Sequence, residues 1–383
     1  MTLNRRLFIQ QVAFFSAGLA VGSKTFANQQ SKFYKLKQKT GGEFRLIDPA
    51  GQPFFSLALN HIDPATLRYP ENQHLWLNKY QNSMQKWLQE VRKDLLSWNF
   101  NSVGWVQEVV TRGVTNHRHS GNFTYENYQW LDLPYCHLLP FADFHQWEAE
   151  TRYPDFYSEE FALWCDQVAR EHCLRMKDDP NLIGYFYLDC PTWVHTTKES
   201  EFRGPLFDPD KLKTEKGRIE LFDLATKYYQ VTHDAIRRYD PHHLILGDRY
   251  NAQRPWAIEV MHAAKPFVDV MSYQHFGKPE EIREDLQMFT EKLEMPVLLA
   301  DSGVPDYSTW ELGYFKQDTE RYAELLQQLK KVKNLIGVHF CGAYMRNKVR
   351  KYGLKDRQDA PDREAVIPIK VANQEFLQWF LNS

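Results

Sequence analysis

The chain of 383 residues has no Cys-x-x-Cys pair, no glycine-rich phosphate loop, no internal repeat and no low-complexity tract. Each absence sets a class of protein aside. Its five cysteines (Cys136, Cys165, Cys173, Cys190 and Cys341) are odd in number and widely spaced, which argues against a disulfide framework or a zinc-thiolate site. A doubly wound nucleotide-binding sheet is disfavoured, because no Gly-rich turn follows the first strand-like run. The formal net charge is -2, so no basic excess exists to hold nucleic acid or an anionic membrane. No long Gly-, Ser- or Pro-rich linker divides the chain, and one domain is the economical organisation.

The N-terminus carries an address. Asn4-Arg5-Arg6-Leu7-Phe8-Ile9-Gln10 reads as a twin-arginine export motif, followed by an apolar stretch from Val12 to Gly22 and a small-residue cleavage site ending at Ala27. That stretch is too short to span a membrane. Residues 1–27 are expected to be a signal peptide, 28–40 a polar leader and 41–383 the catalytic domain. Export of a folded protein to the periplasm or beyond follows from this reading.

What the chain has in quantity is aromatic side chains, 15% of residues with eleven Trp. They serve a core, and when exposed they also offer flat platforms for sugar rings. Glu43-Phe44-Arg45-Leu46-Ile47 and Gln52-Pro53-Phe54-Phe55 flank Asp48-Pro49-Ala50-Gly51, the pattern of a hairpin. Strand-like runs then recur at Phe55–Leu59, Ser102–Val106, His137–Pro140, Ile183–Leu188, Leu244–Gly247, Val268–Ser272, Val297–Ala300 and Leu335–Phe340. Helical stretches alternate with them, at Trp76–Trp98, Phe161–Met176, Arg218–Tyr239 and Asp318–Lys333. Eight strands in this alternation predict an α/β fold, a (β/α)8 TIM barrel with a short N-terminal β-hairpin.

A parallel barrel places its chemistry at the C-terminal ends of its strands. Two apolar runs end there abruptly on a carboxylate, Leu188-Asp189-Cys190 and Ala300-Asp301-Ser302. Two carboxylates across a barrel mouth are the minimum apparatus for cleaving a glycosidic bond. Asp189 and Asp301 are therefore the candidate catalytic pair. Asn60, His61, Trp105, Trp193, Asp248, Arg249, Tyr273, His275, Trp310 and His339 are candidate substrate contacts. No ligand-spacing motif is present, so neither a metal nor another cofactor is expected.

Several segments carry a likeness. Pro53-Phe54-Phe55-Ser56-Leu57-Ala58-Leu59-Asn60 after the hairpin, Leu96-Ser97-Trp98-Asn99-Phe100-Asn101-Ser102-Val103, Ile183-Gly184-Tyr185-Phe186 and Gly337-Val338-His339-Phe340 resemble the clan of TIM-barrel retaining glycoside hydrolases that contains β-galactosidases, cellulases and β-agarases. In that clan strand four ends in Asn-Glu, the Glu being the acid/base, and strand seven in a nucleophilic Glu. Laid ungapped on this chain, the Asn falls on Asp189, the acid/base on Cys190 and the nucleophile on Asp301. Both glutamates are replaced. The resemblance thus implies the fold and a carbohydrate substrate, an algal or charged glycan, without the retaining mechanism. Aspartate is one methylene shorter than glutamate, so the gap across the mouth is expected to widen toward the spacing of inverting enzymes, about 6.5–9.5 Å. The alternatives are a catalytically inactive barrel that binds glycans, and a lyase or metal-dependent enzyme on the same scaffold. In the strand-eight loop, Arg346, Lys348, Arg350, Lys351, Lys355 and Arg357 form a basic run suited to sulfate or carboxylate groups.

Overall fold

The computed structural model describes residues 32–39, 41–112, 117–143, 145, 153–191, 210–252 and 257–383. Eight parallel strands close into a barrel, each hydrogen-bonded to the next in sequence and the last to the first. We number them β1 (Ser56–Leu59), β2 (Ser102–Val103), β3 (Tyr135–Leu138), β4 (Leu182–Asp189), β5 (Leu244–Asn251), β6 (Met271–Gln274), β7 (Val297–Ser302) and β8 (Leu335–Phe340). All eight predicted strands are found. The third begins two residues earlier than expected, and the sixth is displaced toward its C-terminus. Asp269 is the reason for the latter: its carboxylate takes the Ile245 backbone N–H and the Arg237 guanidinium, so the β6 ladder starts beyond it.

Alternation of side chains along each strand divides the apolar residues into two clusters. Cys136, Leu138, Phe186, Leu246, Leu298, Ala300 and Ile336 fill the barrel interior. Leu57, Leu59, Val103, Tyr185, Tyr187, Ile245, Tyr273, Val297 and Leu299 face outward into the layer shared with the helices. The predicted hairpin forms from Phe44–Ile47 and Pro53–Phe54, and an additional strand, Lys35–Gln38, pairs beside it. Leu46 of this small sheet and Tyr34 just before it pack into the interior cluster.

The surrounding helices include Glu159–Met176, Glu215–Tyr239, Pro279–Leu293 and Thr319–Leu329. Ser158, Thr214 and Asp318 cap three of them by accepting from Phe161, Gly217 and Arg321 N–H groups. The stretch predicted as one helix over Trp76–Trp98 is two, Gln73–Tyr80 and Met84–Ser97. Gln81 and Asn82 turn left-handed between them, with φ of 54° and 55°, and Ser83 caps the second helix.

Two local departures from regular pleating aim side chains at the mouth. In β5 the register shifts around Gly247, whose φ is +64°. Leu246 faces the interior, Asp248 turns out to the helices, and Arg249 faces in again. A β-bulge re-aims side chains in this way. In β7 a shift between Leu299 and Asp301 breaks the alternation and brings Asp301 to the mouth beside Asn60. Gly247→Ala is expected to lower stability by roughly 1–2 kcal/mol through left-handed strain, read as a lower denaturant midpoint. The new Cβ would also lie 3.0 Å from Val268 Cγ1.

Candidate active site

Arg249 occupies the centre of the mouth, with no exposed surface. Its Nε and Nη2 donate to Asp189 Oδ1 at 3.1 and 2.7 Å, and Nη1 donates to the Ala300 carbonyl at 3.2 Å. The guanidinium lies 4.0 Å from the centre of the Trp105 ring. Gln274 also donates to Asp189 Oδ1. Asp189, at the end of β4, is thus placed as a hydrogen-bond acceptor. The residue after it, Cys190, is left-handed at φ 45°, which ends the strand sharply.

Opposite, Asp301 accepts from Asn60 Nδ2 at 2.6 Å. Asn60 is itself locked, donating to the Ala300 carbonyl and accepting from the Trp105 N–H. Gly104 is required beside it, since a Cβ there would lie 2.2 Å from Asn60 Oδ1 and 2.5 Å from His339 Nδ1. Burial works against the Asp301 charge, but His61, Arg249 and Asn60 outweigh it and hold the carboxyl well below the usual range. His61 is left-handed at φ 59° and donates through Nδ1 to the Gln107 carbonyl. Its Nε2 lies 3.9 Å from Asp301 Oδ2. Burial and Arg350 push this imidazole toward neutrality, yet Cys341 and Asp301 prevail and raise it to about 10. His339, deeper in the barrel and bonded to Ser56 Oγ, is pushed down to about 3 by burial and by Arg249.

Two further carboxylates complete the rim. Asp143 follows β3 and accepts the Asp189 backbone N–H at 3.2 Å. Burial pushes its carboxyl up to about 7; the like charge of Asp189 adds to this, while His119 and Arg249 oppose it. Glu108 takes the Arg350 Nε at 2.7 Å. Sequence reasoning missed both. The signal for Asp143 was present, a polar residue closing the run Leu138-Leu139-Pro140-Phe141-Ala142, but strand three was expected to end at Pro140.

The structure therefore brings Asn60, His61, Trp105, Asp189, Arg249, Asp301 and His339 together. The other predicted contacts lie elsewhere. Asp248 faces the helix Glu215–Tyr239, where the Tyr228 and Tyr229 hydroxyls donate to it and burial raises its carboxyl to about 7. Tyr273 stacks on Phe289 in the outer layer, and His275 is bonded to Asp285 of the helix Pro279–Leu293. Trp310 is exposed in the loop after β7. Trp193 lies outside the described residues. All of the basic run but Lys351 is matched internally: Arg346 pairs with Asp362, Lys348 and Arg357 with Glu71, Arg350 with Glu108, and Lys355 with Asp94 and Asp359.

The structure is similar to that of PfGH50B, with a TM-score of 0.71 at 15% identity, covering 92% of this chain and 67% of that one. For an agarase, AgWH50C, the values are 0.67 at 17%, covering 92% and 64%. For a β-galacturonidase from Eisenbergiella tayi they are 0.53 at 13%, covering 90% and 54%. The fold is that of the TIM-barrel glycoside hydrolases. At these identities the likeness is one of fold, and this chain spans about two thirds of the length of the first two. No protein-family model matches the chain, and no curated protein sequence does.

In a barrel with a buried cation at its mouth, the ion pairs govern stability. Arg249→Met would leave Asp189 without its charge partner, and a loss of about 3–5 kcal/mol is expected in chemical denaturation. A second expectation concerns Asp143 and Asp248, which keep their protons to about 7 in the folded state. In the unfolded chain they release them near ~4. Across that interval the folded state binds more protons, so stability falls as pH rises from about 4 to 7. Thermal melts should show the decline, and Asp143→Asn should flatten it.

Proposed function

We propose that this protein is an exported glycoside hydrolase, cleaving O-glycosidic bonds in a polysaccharide or its oligosaccharides. The observation that carries the proposal is a pair of carboxyl environments of opposite character at one barrel mouth. Asp301 is held ionised, while Asp143, against the backbone of Asp189, keeps its proton to about 7. Titratable groups whose surroundings push them apart mark acid and base. In this scheme Asp301 is the anionic side and Asp143 the proton-bearing side. The like charge of Asp189 helps Asp143 keep its proton. Substrate hydroxyls that draw Arg249 and Gln274 away from Asp189 would free it to relay that proton to the leaving oxygen.

Gln274 is in register with Asp301 and donates to Asp189, so the end of β6 stands between the two carboxylates. That placement favours inversion, in which a water must fit in the gap. Beside the mouth a groove of about 540 Å³ is lined by Asp63, Arg68, Tyr69, Asn122 and Phe123, a mixture of polar groups and ring faces suited to a sugar. Among the described residues no helix is long and apolar enough to cross a membrane. The twin-arginine motif supports export, with the periplasm or the exterior as the working compartment.

A second reading has its own support. Both aspartates are already met by internal donors, and neither clan glutamate is present. A barrel that binds glycans without cleaving them fits those facts.

Reducing-end release on a panel of algal and plant polysaccharides separates the two. Turnover is expected for the parent, with a loss of about 10²–10⁴-fold in Asp301→Asn and in Asp189→Asn. Activity should fall as pH rises above about 7, and Asp143→Asn should move that limb. Silence across the panel, with retention on one glycan, would establish the binding barrel instead.

A further inference from the structure

Three metal-ligand side chains meet at the mouth, and the acid/base scheme uses one of them. His61 follows β1, Asp301 belongs to β7 and Cys341 follows β8. Their ligand atoms all lie within 4.8 Å of one another, and all three residues are buried. The His61 Nδ1–H donates to the Gln107 carbonyl at 2.6 Å, which leaves Nε2 to face the cluster. That Nε2 is buried without a hydrogen-bond partner. Its nearest anion is Asp301 Oδ2 at 3.9 Å, and a metal ion bound there would displace the proton the imidazole otherwise carries. Around the cluster, Asn60 orients the Asp301 carboxylate, Arg350 Nη1 donates to Cys341 Sγ at 3.3 Å, and the Tyr352 hydroxyl lies 3.7 Å from the same sulfur. Ligands in metal sites are held by outer contacts of this kind, above all a histidine whose second nitrogen is tied to a carbonyl.

We propose that His61, Asp301 and Cys341 bind one divalent metal ion, and the donor set selects zinc. One nitrogen, one oxygen and one sulfur suit a borderline-soft ion, whereas Mg²⁺ and Ca²⁺ take oxygen. Three protein ligands leave a fourth position open, as in catalytic rather than structural zinc sites. With metal–ligand bonds of about 2.0–2.3 Å, tetrahedral ligand atoms stand about 3.3–3.8 Å apart, so the cluster need contract by no more than about 1.5 Å. The charges also balance. A carboxylate and a thiolate offset the ion, while the two nearby guanidiniums have their own anions, Arg350 with Glu108 and Arg249 with Asp189.

The role of the ion rests on the hydrolase proposal: water at the open position would become a nucleophile near neutral pH, with Asp301 acting as a ligand. Binding itself needs no substrate, so it is tested separately. The full chain, stripped with a chelator, is titrated with Co²⁺ as a coloured substitute for Zn²⁺. One equivalent is expected, with visible bands of a tetrahedral site and a thiolate-to-cobalt charge-transfer band in the near ultraviolet. Cys341→Ser should abolish the charge-transfer band, and His61→Ala should weaken binding by more than tenfold, with circular dichroism confirming that each variant is folded. Absence of the thiolate band in the parent would overturn the proposal without reference to any variant. So would a band that survives Cys341→Ser. Neither outcome touches the hydrolase proposal, and a metal-loaded chain that cleaves no glycan would leave the site standing while that proposal fell.

Discussion

The buried guanidinium of Arg249 is the constraint on which the mouth depends. An arginine keeps its charge in any protein environment, so a barrel that encloses one must surround it with acceptors. Asp189 supplies the anion, the Ala300 carbonyl takes the remaining edge, and the Trp105 ring covers a face. His339, sharing the same interior, is kept neutral in part by that charge, and Asp301 is held ionised in part by it. The Gly247 bulge is what places the cation there at all. The electrostatics of three strand ends thus trace back to one irregular residue in β5.

The fold was legible in the sequence because it rests on alternation. Apolar runs such as Val297–Ala300 and Leu335–Phe340 recur at the spacing that parallel strands and their crossover helices require, and each of them is a barrel strand in the structure. What failed were local conformations that periodicity does not encode. Trp87, Val91 and Leu95 mark one helix face, but nothing in that pattern announces that Gln81 and Asn82 turn left-handed and start the helix afresh. Strand six was displaced because a single carboxylate, Asp269, occupies the neighbouring backbone donors.

The site was legible by position and much less by orientation. Residues at strand ends were identified well enough to gather Asn60, His61, Asp189, Arg249 and Asp301. Which of two neighbours faces the mouth was not. Asp248 and Arg249 are adjacent, and regular pleating after Leu246 would turn Asp248 inward; the bulge reverses the choice. Asp143 lay just past the predicted end of its strand. Cys341 was not read as a metal ligand, because its neighbours His61 and Asp301 come from distant parts of the chain and meet only when the barrel closes.

An aspartate in place of a glutamate at the end of β7 has a geometric consequence that links these features. A side chain shortened by one methylene withdraws the carboxylate toward its own strand. At Asp301 that brings it within 2.6 Å of Asn60 and close to the His61 imidazole, inside the ring of side chains at the strand ends. A glutamate would carry its charge past that ring toward whatever lies in the mouth. The shorter residue is suited to a partner held among the strand ends themselves. A water or an ion meets that description better than a sugar carbon does. The same withdrawal disfavours direct attack on a glycosidic carbon and favours activation of a small nucleophile lodged between the wall and the substrate. In the hydrolase proposed above, the attacking group would then be something the Asp301 side chain holds and not the side chain itself.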